Sequence, residues 1–545
     1  MAVKQGKAVD VSFEDAMEIA GKAVDVSFED AMEIAGYGKF SMFIILVSAL
    51  SFCSSLLGSL DVSFLLPAAE CDLQLTSQNK GLLSSAFFIG TIAASHLSGY
   101  LADTLGRKYV LIRGLSLNVV FYILGTFAPN FWTFFACKVI SGILTCPSMI
   151  ATIPLLGEFV PSRRRAQSML ICTALSTIGL FYSSLIGWLT LQATWKADLW
   201  FITFTPWRLF FLLCGVPSLV CSLLLHLAPE SPRFLLTIGK RQDTLKILQR
   251  VHSLNTGNNL ANYPVQSVTI DANEAPPSPR AKGKGVLPIL KNIYSQTVPL
   301  FKPPYVKHLV LCVILMVDVC LCVNTIFLWL PEITNRIAFY KEAHEGRFYL
   351  CDMVVVKESL SPTANITVDA SNHSAPVECV TAINNAVFIP NLVIATVQPM
   401  VMMASSVVVP LFDRRHVLSF ILVLCGCMSF LLTLVGDSRI MIMLFGGMPI
   451  LAGICYNVLS SILIELFPTY IRAMAVSINM ICGRLGAIIG SQVFSLMIDS
   501  ECSLLFRLIA GTLFCCGIVP FFFNLQKSSK PQHQSTKEDL NENKT

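Results

Sequence analysis

Long apolar stretches separated by short charged ones dominate this chain. Runs of about 20 apolar residues, enough to cross a ~30 Å hydrocarbon core as helix, are spans 1 to 12. They occupy 41–67, 81–101, 109–128, 131–156, 167–193, 208–228, 307–331, 385–411, 417–435, 439–464, 473–498 and 503–524. Hydrocarbon offers no partner to an open backbone amide, and the runs are too long and too evenly apolar for barrel strands. The pattern predicts an all-α membrane protein with twelve transmembrane helices. A polar stretch divides them six and six. The expected domains are an N-terminal segment 1–40, a bundle 41–228, a linker 229–306, a second bundle 307–524 with an outer loop 334–384, and a tail 525–545.

Composition agrees with that reading. Of 545 residues, 54% are hydrophobic and 13% charged, with mean hydropathy +0.66, which lies far from an ordinary soluble domain. Lys and Arg collect after spans 2, 4, 6, 8 and 10 and in the tail, as in "GRKY", "SRRR", "DRRH" and "YIR". The positive-inside rule then puts those loops and both termini in the cytosol. The net charge of +5 follows from these clusters. No aromatic platform with interleaved basic residues accompanies them, so a lipid bilayer and no nucleic acid is the expected surface partner. The first forty residues are polar and acidic, which argues against a cleavable signal.

Two repeats differ in what they say. "GKAVDVSFEDAMEIA" occupies 6–20 and returns at 21–35. Two copies of this length cannot build a repeat architecture. Each reads as a short amphipathic helix, with Ser12 or Ser27 three residues before Asp15 or Asp30 in a capping-box spacing. The second repeat is fainter. Glu158 and Arg165 in "GEFVPSRRR" match Glu465 and Arg472 in "ELFPTYIR" at an offset of 307 residues, and Asp413 follows Asp103 by 310. Two halves related by duplication are the expected result, as in carriers whose halves rock about a midplane site. The expected cytosolic gate comprises Asp103, Gly106, Arg107, Lys108, Glu158, Arg165, Glu230 and Arg233 in one half and Asp413, Arg414, Glu465 and Arg472 in the other. Such charges can pair across the halves or cap helix starts; the plainer reading is ordinary snorkelling.

Most of the 19 cysteines lie within spans, where a thiol is a small hydrophobe. Cys71, Cys351, Cys379 and Cys502 fall in or beside outer loops. Four thiols allow three pairings, and Cys351–Cys379, which brackets one loop, is the disulfide expected. That loop also carries glycosylation sequons at Asn365 and Asn372. On the other side, 252–286 reads as a flexible linker rich in Asn, Pro, Gly and Ser.

The motif "GYLADTLGRK", Glu158 with Arg165, Trp207-Arg208 and "PESPR" at 229–233 resemble the major facilitator superfamily and its sugar and organic-ion porters. "FEDAMEIAGYGKF", "FLLPAAECDLQLTSQNKGLL" and "PESPRFLLTIGK" resemble the synaptic vesicle glycoprotein 2 family. The resemblance implies the major facilitator fold, two pseudo-symmetric six-helix bundles, in a carrier of vesicle or plasma membrane. Lys138 departs from that pattern, standing in "KVISG" where the superfamily usually has Arg, and the loop 8–9 signature is reduced to "FDRRH". The loop after span 7 is also shorter than in the vesicle glycoproteins.

An ionisable group at the bilayer centre costs about 2.5–3.5 kcal/mol on insertion scales and so points to function. Asp61 in span 1 and Asp318 in span 7 are expected to flank a central cavity, one of them taking a proton or attracting a cation; the alternative ties each to a hydroxyl or a water. Lys138 either snorkels outward or meets a substrate anion. Asn324, Gln398, Tyr456 and Asn457 either bond a solute or join helices. Arg484 reads as a packing or gate charge, and His96 and His226 as packed or interfacial. The sequence shows no metal-ligand cluster, nucleophile triad or phosphate-binding glycine loop, so neither an enzyme nor a cofactor is expected. The function expected is secondary active or facilitative transport of a small, charged organic solute by alternating access, with or without proton coupling, in a monomer. The alternative is a vesicle or surface membrane protein acting through interactions on a vestigial transporter fold.

Overall fold

The computed structural model describes residues 26–199, 202–269, 297–343, 348–355, 383–467 and 469–523. Among them, twelve helices are long and apolar enough to cross a membrane. They are Lys39–Ala68, Ser77–Leu105, Arg107–Thr126, Phe131–Glu158, Ser162–Leu191, Pro206–Leu227, Tyr305–Lys341, Phe388–Ser405, Arg414–Leu432, Ser438–Leu463, Met474–Met497 and Cys502–Phe522. Each answers to one apolar run of the sequence and keeps its span number below. The helix of span 4 is interrupted at Ala151, between Pro147 and Pro154, each of which lacks the amide that would continue the ladder.

The largest departure is span 7, a helix of 39 residues from Tyr305 to Ala343. It runs past Pro331 into what the hydropathy marks as outer loop. The added turns carry Glu332, Thr334 and Arg336, which are buried or nearly so and paired, Arg336 with Glu332 and Thr334 with the Leu330 carbonyl. Paired charge does not need water, so the helix continues beyond its apolar run.

Spans 1–6 and spans 7–12 form two bundles. They meet where span 2 lies against span 11, span 1 against span 7, and span 5 against span 8. An apolar core runs through both bundles, with Phe64 of span 1 stacked on Phe388 of span 8 at 6.0 Å between ring centroids. A second core belongs to the first bundle and its caps alone. It lies at the face carrying helices Phe28–Ala35 and Arg241–Thr256, here the linker face. The opposite face is the disulfide face.

At the linker face the second copy of the N-terminal repeat forms the anticipated helix. Ser27 Oγ accepts from the Asp30 amide at 3.2 Å and donates to Asp30 Oδ2 at 2.7 Å, a side-chain N-cap in which the carboxylate meets the hydroxyl in place of the Ser27 amide of a capping box. Phe28, Ala31, Met32 and Ala35 are buried in the core that holds Leu248, Val251 and Tyr263. Asn255 holds the start of span 1, accepting from the Phe40 and Ser41 amides at 3.0 and 3.4 Å. The linker expected to be flexible from residue 252 is ordered through 269, where Val268–Thr269 pair with Val26–Ser27. Burial of Val251, Tyr263, Val265 and Val268 supplies the reason. The first repeat copy and residues 270–286 lie outside the described residues.

The expected Cys351–Cys379 bridge is corrected: Cys351 is bonded to Cys502, with Cα atoms 5.5 Å apart. The extension of span 7 and the helix Leu350–Val355 carry Cys351 to the start of span 12, a neighbour that loop bracketing could not reveal. Cys71 is also disulfide-bonded. Cys379 and the sequons at Asn365 and Asn372 lie outside the described residues.

Candidate functional site

The charged motifs of the linker face assemble inside each bundle. Glu230 sits over the start of span 3, accepting from the Lys108 and Tyr109 amides at 3.0 and 3.2 Å, where unsatisfied N–H groups and the helix dipole favour an anion. Gly106 makes this approach possible. Its φ is +106°, and a Cβ there would lie 2.7 Å from Glu230 Oε2. Arg107 pairs with Glu158 and more loosely with Asp103, and Ser231 donates to Glu158. Arg233 is close enough for Glu158 to feel its charge. Arg165 donates to the Gly157 carbonyl at 2.9 Å and to Glu29 of the N-terminal helix at 2.7 Å.

The second bundle repeats the scheme in reduced form. Arg414 at the start of span 9 pairs with Glu465 at the end of span 10 at 2.7 Å, as Arg107 pairs with Glu158. Arg472 donates to the Phe467 carbonyl at 3.1 Å. Asp413 caps span 9 through the Arg415 amide at 3.0 Å. Burial pushes its carboxyl up, but the Arg415 hydrogen bonds and the charges of Arg415 and His416 outweigh that and hold it below the usual carboxylate range. Each of these pairs stays within one bundle, and Glu230 and Asp413 take the helix-capping role that the sequence also allowed.

Deep in the first bundle, Asp61 and Lys138 meet. Lys138 Nζ lies 2.6 Å from Asp61 Oδ1 and 2.7 Å from the Gly58 carbonyl, and Tyr122 donates to Asp61 Oδ2 at 3.1 Å. Asp61 and Lys138 are both 0% exposed. The ammonium also lies within 6.0 Å of the ring centres of Phe87, Tyr122 and Phe211, a cation–π cage. This corrects both readings of Lys138, which neither snorkels nor stands open to a solute, because a carboxylate one helix away compensates it. Asp318 takes the second of its two readings, held by local groups: Cys322 Sγ donates to its Oδ1 at 4.0 Å, Thr512 and Cys516 of span 12 lie beside it, and its Oδ2 has no hydrogen-bond partner among the described residues. Next to it a cavity of about 10 Å³, lined by Val319, Cys322, Cys425 and Cys455 among others, has room for about one water and none for a solute.

The remaining polar positions gather on spans 8, 10 and 11. Tyr456 donates to Met480 Sδ at 2.9 Å and Asn457 to Met402 Sδ at 3.3 Å, and Gln398 Oε1 is buried with no partner. Asn324 is half-buried on span 7. His96 and His226 are exposed, as the interfacial reading expects. Arg484, near the middle of span 11, donates to Ser95 Oγ of span 2 at 2.5 Å and to the Thr91 carbonyl at 3.4 Å. Its charge reaches Tyr456 and Cys320. All its hydrogen-bond partners are neutral; among the described residues no ion pair compensates it.

A charged cluster at the disulfide face escaped the sequence reading. Lys80 of span 2 is 0% exposed and lies 2.9 Å from Glu70 and 2.8 Å from Glu332 of span 7. Arg336 lies 3.0 Å from Glu332 and 2.8 Å from Asp499, and Ser77 donates to Asp499. The available signal was the Glu332–Arg336 spacing of four, which stacks the two on one helix face. It was hidden by the assumption that helix ends with hydropathy.

The profile of the sugar (and other) transporter family matches residues 61–356, more than half of the chain. The chain belongs to that family. A Major Facilitator Superfamily profile matches 378–544. Synaptic vesicle glycoprotein 2B of Rattus norvegicus is 33% identical over 221 residues, 40% of this chain and 32% of the relative. Synaptic vesicle glycoprotein 2A of Homo sapiens is 31% identical over 221 residues, covering 40% and 30%. The matched stretch thus spans about a third of the length of these curated relatives. Among solved structures, the xylose transporter XylE from E. coli in its inward-open form aligns over 90% of this chain and 97% of its own, with TM-score 0.61 at 15% identity. Its partially occluded inward-open form aligns over 90% and 100%, with TM-score 0.60 at 13% identity. These likenesses show the fold: a multi-pass, all-α membrane protein of major facilitator architecture, whose family points to a transporter.

Proposed function

We propose that the protein carries a small organic anion across the membrane by alternating access, with the linker face in the cytosol. One observation carries the substrate class: Arg484 lies near mid-membrane, touches both bundles and bonds only neutral partners among the described residues. An arginine at that depth costs about 2.5–3.5 kcal/mol, and an anionic solute would offset the cost when bound. Gln398, with its free carbonyl oxygen, and Asn457 and Tyr456, now bonded only to methionine sulfurs, supply exchangeable hydrogen bonds for the solute's polar groups. Asn324 belongs to the same reading. Met402, Met480 and Met149 around them suit an apolar body of variable shape.

Coupling to protons is assigned to Asp61. Protonating it would free the Lys138 ammonium from its one carboxylate and loosen the tie between spans 1 and 4. Asp318 is read as structural, since the groups around it belong to spans 7 and 12 of the second bundle. The pairs at the ends of spans 3, 4, 9 and 10 keep each bundle rigid while the two rock. The family profile and the basic clusters of the linker face support these assignments.

Uptake into vesicles reconstituted with the full chain tests the reading, using small carboxylates and size-matched neutral and cationic analogues. Arg484→Gln should cut carboxylate uptake at least tenfold, Arg484→Lys should retain part of it, and Asp61→Asn should flatten its pH dependence. Selective uptake of neutral or cationic solutes that is indifferent to Arg484→Gln overturns the reading.

A further inference from the structure

The charges of the disulfide face are arranged in an unusual way. Lys80 and Glu70 belong to the first bundle and its loop; Glu332, Arg336 and Asp499 belong to the second. Among the described residues one ion pair, Lys80–Glu332 at 2.8 Å, joins the two sets, beside the hydrogen bond from Ser77 to Asp499. If the bundles part, the network divides at those two contacts. Lys80 keeps Glu70, and Glu332 keeps Arg336, itself held by Asp499. A buried pair whose separation strands each charge alone is a staple, because an uncompensated buried ion is costly. Here each side retains an internal partner, so the network is built to come apart and re-form.

The packing around it agrees. Span 2 approaches span 11 closely enough that a Cβ on Gly81 would lie 2.3 Å from Ser495 Oγ. Ser491 donates to the Gly81 carbonyl at 3.2 Å, and Gln492 donates to Ser85 at 2.9 Å. These are small polar contacts between spans 2 and 11, which water can replace singly as the face opens; the Phe64–Phe388 stack joins spans 1 and 8 at the same face and has to part with them.

We propose that Lys80 and Glu332 form a reversible lock that holds the bundles together at the disulfide face and biases the carrier toward the state open at the linker face. The lock rests on the alternating-access reading and adds to it the residues that set the balance between the two states. Lys80→Gln leaves Glu332 its Arg336, and Glu332→Gln leaves Lys80 its Glu70, so either change weakens the lock without orphaning a charge. With both groups neutralised the effect should be no larger than with one, since a single bond is lost.

The test reads conformation and needs no substrate. In the full chain reconstituted in lipid discs, Ser85→Cys is exposed to a charged maleimide, as is Ser460→Cys, one turn nearer the linker face than Tyr456. Labelling is measured site by site by peptide mass spectrometry, which separates both from the native thiols. Lys80→Gln and Glu332→Gln should each speed labelling at Ser85→Cys at least fivefold and slow it at Ser460→Cys; Lys80→Arg should restore the parent rates. Rates at Ser85→Cys within twofold of the parent, or a rise at both sites together, would overturn the lock, the second because it signals general loosening. Uptake plays no part, so failure to find a transported anion would leave this outcome standing on its own.

Discussion

Two residues, 77 positions apart in sequence, meet deep in the first bundle, where Asp61 accepts from Lys138 and Tyr122 and Lys138 donates also to the Gly58 carbonyl. Removing only Asp61, as in Asp61→Asn, leaves Lys138 without its counter-charge and should cost about 3–5 kcal/mol, whereas Asp61→Leu with Lys138→Met should recover most of it. Thermal unfolding in detergent compares them. Gly106→Ala meets both a positive φ and the Glu230 carboxylate, so about 1–3 kcal/mol is expected to be lost in the same assay. Asp413 supplies a pH signature. Its folded-state pKa is depressed, so its contribution is complete at neutral pH and fades as pH falls below about 4 and through the folded value. The stability gap between the parent and Asp413→Asn should therefore close on acidification; a constant gap would mean that the cap and not the charge matters. Sequence singled out Asp61, Lys138 and Asp413 individually. It could not say that the first two compensate each other, because that depends on which helices are neighbours.

Among the elements, the helix Phe28–Ala35 is held by water-driven burial rather than by a membrane. Met32 is fully buried in its interface with the linker, and Met32→Ala should weaken docking by about 2–5 kcal/mol. Faster cutting by a glutamate-specific protease at Glu29 and Glu33 is the expected sign; unchanged cutting would show that the salt bridge from Arg165 to Glu29 suffices. The cap of this helix was legible because Ser27 and Asp30 are local partners. The end of span 7 was not, since Glu332 and Arg336 read as loop until Lys80 and Asp499, from other helices, are brought beside them.

For the whole molecule, the Cys351–Cys502 bridge ties the segment after span 7 to the start of span 12, both in the second bundle. A non-reducing peptide map should recover that linked pair, and Cys351→Ser, Cys502→Ser and the double change should destabilise alike, by about 2–5 kcal/mol. Because the bridge does not cross between bundles, the double change Cys351→Ser, Cys502→Ser should leave the Ser85→Cys labelling rate unaltered.

Sequence alone determined the twelve crossings, their division into two related halves and the side on which positive charge gathers. Those follow from one-dimensional rules, since the thickness of hydrocarbon dictates run length and duplication leaves its spacing behind. Tertiary structure decided which charge answers which: Lys138 with Asp61, Lys80 with Glu332, Cys351 with Cys502, and Arg484 with neutral groups only. Ion pairs and disulfides act over a few ångströms in space, and the distance along the chain between their partners is set by helix packing that hydropathy does not encode.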